Sequence, residues 1–307
     1  MKMDAYIRTT KAGQSRMRNW IILCLHELKE EQNRKKTPFV SSNYLMTGDF
    51  RFSKFENNGD SGNMMIAKRK GFPKEKYFVK HYYSDCACNE FMYAAIAEQL
   101  GILTPRVKLF MVSENEKRNL FYSGYGVGIE AIEKIHSQLF EKDVQKDPSI
   151  QKSRIRACAL DQILDGWVET QFLMSKDHQC YRFDLTESFN AHYDFISILG
   201  MNENLIIQGK NRDEILQGEL ERHLNSLKDK SIEYLKRGLT VYNNSYSDNF
   251  TDEWNNTYAA FLNMDDKKIQ NAIDILCYIY PDELGTYYQN YIKISKEKIR
   301  QYFTENK

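Results

Sequence analysis

The chain has 307 residues, enough for one large domain or two lobes with a proper hydrophobic core. Its 42% hydrophobic and 28% charged residues are those of an ordinary globular protein, and its formal net charge of +1 argues against binding driven by bulk electrostatics. No apolar run reaches the roughly 20 residues of a membrane-spanning helix. Six cysteines in a chain of this length do not form a disulfide scaffold, so we expect a cytoplasmic protein with reduced thiols.

Residues 14–34 carry apolar side chains at helical spacing, opposite a charged face. This pattern predicts an amphipathic helix docked on the body of the protein. A helix that reads DNA is the alternative, but no second element of a helix-turn-helix motif is visible. The near-zero net charge also argues against nucleic acid as a partner.

Residues 45–82 have the texture of β-strands, with strand-like runs at 49–55, 64–69 and 76–82. Between the first two runs lies a polar turn that contains Gly59, Ser61, Gly62 and Asn63. Glycine lets backbone amides point inward, so such a turn can form a nest for phosphate. The same residues are common in ordinary hairpin turns, so the turn alone identifies no function.

Lys80 stands near the end of the third run, and Glu90 follows ten residues later in a helix predicted over residues 89–100. Gly101 is expected to cap the C-terminus of this helix. A lysine on an edge strand is usually solvated. However, a strand lysine answered by a carboxylate on the next helix is how kinase-type folds hold nucleotide phosphates. With the glycine turn upstream, the pattern favours contact with a nucleotide.

Cys86 and Cys88 lie between these two residues. A structural metal site normally needs four ligands in two pairs, and the sequence shows no second pair at a suitable spacing. We therefore expect free thiols in a loop.

The second half of the chain is mainly helical. A hairpin is predicted over 107–123, and the glycine-rich segment 124–128 has the composition of a flexible crossing. Helices are predicted at 153–167, 213–237, 252–262, 265–280 and 283–304, with short strands at 172–174 and 180–183. This order predicts an N-terminal helical extension (1–44), a β-rich lobe (45–128) and a helical lobe (129–307).

Two parts of the sequence together resemble the HipA-like protein kinases, including the smaller CtkA-type members. One is the strand Tyr77-Phe78-Val79-Lys80, and the other is the run from Asn89-Glu90 through Leu100-Gly101 to Pro105. In that family a strand lysine is followed by an Asn/Ser-Glu helix, then by Leu-Gly and a proline before the next strand. The likeness covers roughly residues 45–200, and the glycine turn matches the family's phosphate loop loosely.

This resemblance implies an α+β, bilobal protein-kinase-like fold with a β-rich N-terminal lobe, a helical C-terminal lobe, and ATP with magnesium bound between them. It implies phosphate transfer to a Ser or Thr hydroxyl. Lys80 would contact the α- and β-phosphates, Glu90 would orient Lys80, and Asp184 would hold magnesium. From the residues alone, Asp184 also fits a capping or turn aspartate.

The catalytic loop departs from the family. There, an Asn-x-Asp-Arg-His-x-x-Asn type loop supplies the catalytic Asp and a second metal-binding Asn. This chain instead reads Asp-Gly-Trp-Val-Glu-Thr-Gln-Phe from Asp165, about two residues shorter, with Val168 where the catalytic Asp belongs. Glu169 is the favoured substitute base, Asp165 is another candidate, and Gln171 can replace the Asn because an amide oxygen also ligates metal. A carboxylate lost from the base position slows transfer by about 10²–10⁴-fold.

Three functions remain open from the sequence. The first is a HipA/CtkA-like kinase of weakened activity that binds ATP and Mg²⁺ and phosphorylates Ser or Thr. The second is a catalytically degenerate pseudokinase that serves as a nucleotide sensor or a scaffold for protein interactions. The third is a nucleic-acid-binding regulator that uses the basic N-terminal helix. The first two imply a protein substrate, an antitoxin or another regulatory partner, and no membrane.

Overall fold

A computed structural model describes residues 44–54, 64–72, 74–80, 85–111, 125–132, 134–136, 147–166, 171–177, 179–185, 188–189, 212–245, 250–278, 280 and 282–305. The helix predicted at 14–34, the glycine turn between the first two strands, and the strand at 119–123 lie outside them.

The described β-structure forms two sheets. Its strands are β1 (Tyr44–Met46), β2 (Phe50–Lys54), β3 (Met64–Arg69), β4 (Lys76–Lys80), β5 (Val107–Met111), β6 (Tyr125–Glu130), β7 (Lys134–His136), β8 (Phe172–Ser175) and β9 (Cys180–Arg182). The larger sheet has the strand order β1-β5-β6-β4-β3-β2, and the smaller has the order β7-β8-β9. β1 pairs with β5 in parallel, and the other neighbours are antiparallel.

One helix lies between β4 and β5, and the others follow the larger sheet in the sequence. They are α1 (Asp85–Gln99), α2 (Pro148–Leu164), α3 (Arg212–Asp229), α4 (Ile232–Ser245), α5 (Thr251–Leu262), α6 (Asp266–Cys277) and α7 (Asp282–Glu305). Asp147 precedes α2, and its side chain accepts a hydrogen bond from the Ser149 N–H at 2.8 Å and so caps the helix. None of the described helices combines the length and the apolar character needed to cross a membrane.

The end of α1 confirms the predicted glycine cap. Gly101 has a φ of +62°, in the left-handed region that favours glycine. Its N–H donates to the Glu98 carbonyl, and the next N–H, of Ile102, donates to the Ala97 carbonyl. These two bonds form a Schellman motif, which satisfies carbonyls that the helix end leaves open.

The prediction of a flexible crossing at 124–128 is wrong. Residues 125–130 form β6, which lies inside the large sheet between β5 and β4. A Cβ atom added to Gly128 would stand 2.2 Å from Cε2 of Phe110. The glycine is therefore explained by the close approach of an aromatic ring to the strand, which is a known use of glycine inside sheets.

The single helix predicted at 213–237 is also wrong, because α3 and α4 are separate helices with a break at residues 230–231. The other helices and the strands β2 to β5, β8 and β9 confirm the predicted order, although α1 begins four residues before the predicted start. The strands β1 and β7 were not predicted. Cys88 lies on this early part of α1, so the expectation that it stands in a loop is corrected.

Both faces of the large sheet are partly covered. On one face, Leu109 of β5 and Val127 of β6 join the main core with α1 residues Met92 and Ile96. On the other face lies a second cluster, in which the Phe110 ring centroid is 5.0 Å from that of Phe50 and 5.7 Å from that of Tyr77. Such edge-to-face contacts are favourable beyond the area that they bury.

The main core continues from the sheet into the helices. It contains large buried side chains from α5 and α7, among them Trp254, Tyr258 and Tyr288, each with 0% exposure. The Tyr44 hydroxyl on β1 donates to the Ile275 carbonyl of α6 at 2.6 Å, which fastens the sheet edge to the helical part. The fold is thus α+β, with a β-rich first part and a helical second part, as predicted, and the exact domain boundaries stay a prediction.

Candidate functional site

Glu90 lies in the second turn of α1, and its side chain is almost completely buried. Its Oε1 accepts a hydrogen bond from the backbone N–H of Leu185, with 3.3 Å between N and O. The two residues are 95 positions apart in the sequence. A carboxylate is costly to bury without such bonds. The bond ties α1 to the segment after β9, so two of the predicted site residues, Glu90 and Asp184, lie close together.

Asp184 has an unusual backbone. Its φ is +56°, in the left-handed region, which aspartate tolerates better than most residues other than glycine. The conformation turns the chain sharply just after β9, and the side chain at this turn is half-buried. A strained backbone conformation persists only where the surrounding structure holds it in place. Such conformations are concentrated at ligand sites and switch regions.

Arg182 is what holds this segment in place. Its Nη1 donates to the carbonyl of Phe183, and longer contacts reach the carbonyls of Gln171 at 3.4 Å and Asp184 at 3.5 Å. The Phe183 N–H also donates to the Gln171 carbonyl at 3.0 Å. The backbone at Gln171 therefore runs beside the backbone at 183–184, so these two predicted metal ligands lie on neighbouring chain segments.

A buried ion pair orients Arg182. Its Nε donates to Oδ2 of Asp161 on α2 at 3.0 Å, and the Tyr93 hydroxyl of α1 donates to Oδ1 at 2.8 Å. The side chains of Arg182 and Asp161 are only 3% and 1% exposed. The network thus links α1, α2 and β9 in the protein interior.

The charges of this network support one another. Burial, the largest single effect, acts to lower the pKa of the Arg182 guanidinium, but the charge and hydrogen bond of Asp161, together with Tyr93, hold that pKa above its ordinary value. Burial raises the pKa of the Asp161 carboxyl, and Arg182 and Tyr93 oppose that rise. A guanidinium does not give up its proton in proteins, so Arg182 stays charged, and both carboxyl oxygens of Asp161 accept a hydrogen bond.

Asp165, a candidate base, lies just after α2 with a φ of +60°. Its Oδ2 accepts from the Lys230 ammonium, and its Oδ1 accepts from the Tyr234 hydroxyl at the start of α4. Burial, and then the Asp165 charge, raise the pKa of Tyr234, so the phenol keeps the proton that it donates. Both oxygens of Asp165 are therefore engaged by the helical part of the protein.

Lys80 is the last residue of β4, where its backbone pairs with Met64 of β3 and Val127 of β6. β4 lies between two other strands, so the description of Lys80 as an edge-strand lysine is corrected. Solvation at a sheet edge therefore does not explain why a lysine occupies this position. The placement of its side chain lies outside the described part of the chain.

The other predicted site residues lie outside the described ranges. They are Glu169, Gly59, Ser61, Gly62 and Asn63. β2 and β3 pair as antiparallel neighbours, so the segment with the glycine turn connects adjacent strands. The roles of these residues stay predictions.

Asn89, next to Glu90, has a structural partner. Its Oδ1 accepts from the Tyr288 hydroxyl of α7 at 2.6 Å, and the same hydroxyl lies 3.1 Å from the Cys88 sulfur. Cys88 is a buried thiol that takes part in no disulfide bond within the described ranges. Within the described ranges, no three His, Cys, Asp or Glu side chains come together as a metal cluster.

Sequence reasoning missed Asp161, Arg182, Lys230 and Tyr234. One signal was present: Asp161 interrupts the apolar run Ala157-Cys158-Ala159-Leu160 of a buried helix. A charged residue in such a run needs a buried partner. The sequence does not reveal which of 43 Lys and Arg residues is that partner.

Comparisons with known proteins add little to this description. No family model matches the sequence, and no curated protein matches it. Among solved structures, the crystal structure of the proinflammatory kinase CtkA from Helicobacter pylori aligns with a TM-score of 0.44 and 13% identity, over 82% of this chain and 96% of that one. The fold class itself rests on the element order: a mostly antiparallel sheet with one helix inserted after β4, followed by helices, which is an α+β arrangement.

Proposed function

We propose that this chain binds ATP with magnesium and transfers the γ-phosphoryl group to a Ser or Thr hydroxyl, as a HipA/CtkA-like kinase. The hydrogen bond between the Glu90 carboxylate and the Leu185 amide carries this proposal. Packing alone does not require a buried carboxylate on α1 to meet the residue after Asp184. A kinase-type site does, because the strand lysine, the helix carboxylate and the metal-binding aspartate must surround one triphosphate.

The residues divide the work in the following way. Lys80 neutralises the α- and β-phosphates, and amides of the turn at Gly59 and Gly62, with Ser61 and Asn63, bind phosphate oxygens. Glu90 orients Lys80. A carboxylate accepts hydrogen bonds at both oxygens, so Glu90 can hold the Leu185 amide and the Lys80 ammonium together.

Asp184 and Gln171 fit a magnesium ion by chemistry. Both offer hard oxygen ligands, which Mg²⁺ prefers. The 3.0 Å bond from the Phe183 N–H to the Gln171 carbonyl keeps their backbones adjacent, which favours a shared site. Bound magnesium would neutralise charge on the phosphates, and the protein would contribute position and orientation.

Glu169 is the preferred base. Asp165 is less suited, because accepting the substrate proton would require it to release Lys230 or Tyr234. The same engagement of Asp165 favours a second function. If Glu169 does not reach the substrate hydroxyl, the protein binds nucleotide without transferring phosphate and serves as a sensor or scaffold.

Nucleotide binding is tested by the thermal shift that ATP and magnesium produce. At a ligand concentration about a hundredfold above Kd, a specific site stabilises the fold by about 2.7 kcal/mol. We expect Lys80→Ala and Asp184→Asn to lose the shift. The matched controls Lys108→Ala on β5 and Asp177→Asn in the β8–β9 turn, both exposed, should keep it. An equal shift in all four variants would exclude the site.

Phosphotransfer is tested with labelled ATP. An active kinase should label itself or a protein substrate, and Glu169→Gln should lower that labelling by about 10²–10⁴-fold while leaving the thermal shift intact. A thermal shift with no labelling in the wild-type protein would select the sensor or scaffold function. Full labelling by Glu169→Gln would remove Glu169 from the role of base.

A further inference from the structure

Three cationic side chains stand in one row across the large sheet. Arg51 of β2 pairs with Lys68 of β3, and Lys68 pairs with Lys76 of β4. Residues directly opposite each other on neighbouring strands project to the same face. The three Cα positions therefore span about 10 Å, at about 5 Å per strand. We call this set the cationic row.

Like charges directly opposite each other destabilise a sheet, so the row needs an explanation. Protection of a sheet edge against aggregation accounts for Arg51, because β2 is an edge strand. It does not account for Lys68 and Lys76, which lie on interior strands. Folding alone would favour uncharged residues, or residues of alternating charge, at these two positions.

The charges of the row are not balanced within the described part of the chain. Arg51 and Lys68 are exposed, and neither takes part in an ion pair there. Lys76 lies with its Nζ 5.7 Å from the centroid of the Phe78 ring on its own strand. By contrast, the nearby Arg69 is neutralised by Glu75 at 3.0 Å.

The turn after β3 extends the positive surface. Lys70 and Lys74 are exposed there, on either side of Phe72, whose side chain is 61% exposed. An exposed aromatic ring among cations adds apolar contact to charge attraction. The surface thus combines a straight row of positive charge with one apolar contact point.

We propose that the cationic row binds an acidic peptide segment of a protein partner. A few carboxylates in an extended segment match a row of three cations in number and sign. Nucleic acid is the less suitable partner, because its affinity comes from many phosphate contacts, whereas the whole chain carries a net charge of only +1.

The position of the row also suggests which partner this is, an inference that rests on the proposed kinase function. Lys76 precedes Lys80 by four residues on the same strand, which is about 13 Å along β4. A segment bound at the row lies beside the proposed nucleotide site. The partner is then the protein substrate that the kinase phosphorylates, and its acidic residues lie several positions away from the acceptor Ser or Thr.

Binding of a fluorescently labelled oligoglutamate peptide tests the surface directly, by fluorescence anisotropy at low salt. The double substitution Arg51→Gln with Lys68→Gln should weaken binding by about three- to tenfold. The control Lys267→Gln with Lys268→Gln, on the exposed face of α6, removes the same charge elsewhere and should leave binding unchanged. Higher salt should reduce the difference between the two variants.

Three results would overturn the proposal. The first is that oligoglutamate does not bind, and the second is that both double substitutions weaken its binding equally. The third is that a single-stranded oligonucleotide binds more tightly than oligoglutamate and that the Arg51/Lys68 double substitution abolishes the binding of this oligonucleotide. The ATP thermal shift of the same proteins separates this inference from the proposed function. Peptide binding without an ATP shift would uphold the acidic-peptide surface and refute the nucleotide site. An ATP shift without peptide binding would uphold the nucleotide site and refute the acidic-peptide surface.

Discussion

Replacing Arg182 with methionine tests the buried network most directly. Methionine keeps much of the side-chain volume but removes the guanidinium, so Asp161 stays buried with the Tyr93 hydroxyl as its hydrogen-bond donor. Breaking a buried ion pair in this way typically costs about 3–5 kcal/mol. The carbonyls of Gln171 and Phe183 also lose their hydrogen bonds to Nη1. Each carbonyl that water does not reach in the variant adds about 1 kcal/mol to the loss of stability. We therefore expect a loss of about 4–7 kcal/mol in the free energy of unfolding.

A double-mutant cycle separates the ion pair from the carbonyl contacts. Arg182→Met combined with Asp161→Leu removes both charges, so the ion-pair part of the loss should disappear and about 1–2 kcal/mol should remain from the carbonyls. Urea unfolding followed by circular dichroism measures all variants. Arg106→Met is the matched control, because Arg106 is 81% exposed and lies 3.9 Å from Glu130, a pair worth less than about 1 kcal/mol. Equal losses for Arg182→Met and Arg106→Met, or no coupling between positions 182 and 161, would refute the reasoning.

Two further predictions concern packing and pH. Gly128→Ala should destabilise the protein by about 1–3 kcal/mol through the clash with Phe110, whereas Gly218→Ala, on α3 with open space around it, should stabilise it by about 0.5–1 kcal/mol. The same sign for both in urea unfolding would contradict this. Burial raises the pKa of many phenols, that of Tyr77 to about 12, so the folded state favours the neutral form and stability should fall as pH rises from about 10 to 12. Ultraviolet titration should show that these buried tyrosines ionise only as the protein unfolds. Reversible ionisation of the same tyrosines near pH 10, with an intact circular dichroism spectrum, would refute the prediction. The tyrosines with a raised pKa are Tyr44, Tyr77, Tyr93, Tyr234, Tyr258, Tyr287, Tyr288, Tyr291 and Tyr302.

The elements that the sequence predicted well are those with strong local patterns. β3 was predicted with its observed bounds, and the Gly101 cap was predicted because the left-handed turn after a helix is a local property of glycine. The pair Lys80 and Glu90 was predicted on the correct strand and helix for the same reason. The proximity of Glu90 to Asp184 was expected from the resemblance, since nothing local in the sequence joins Glu90 to Leu185, which lies 95 positions away.

The errors arose where distant contacts decide the local structure. Glycines at 124–128 have the composition of a flexible segment, but Gly128 serves the packing of Phe110 from the neighbouring strand. The break between α3 and α4 has no glycine or proline. Lys230 is fixed there by Asp165, and its carbonyl accepts from the Lys298 ammonium of α7. Ser231 before Ile232 was the available signal, because serine favours helix N-caps.

The most deeply buried charged residues that the structure describes lie in one region of the molecule. Most of the core is apolar or aromatic, yet Glu90, Asp161 and Arg182 are each buried within one connected region. The left-handed backbone at Asp184 lies in the same region. A well-packed apolar core would be at least as stable as this network, so stability does not explain it. Proteins break their own folding rules mainly at functional sites. If the network served folding alone, the double variant Arg182→Met with Asp161→Leu would keep the full ATP-induced thermal shift of the wild type. We expect it to lose that shift, because the backbone that carries Asp184 would no longer be held in its left-handed turn.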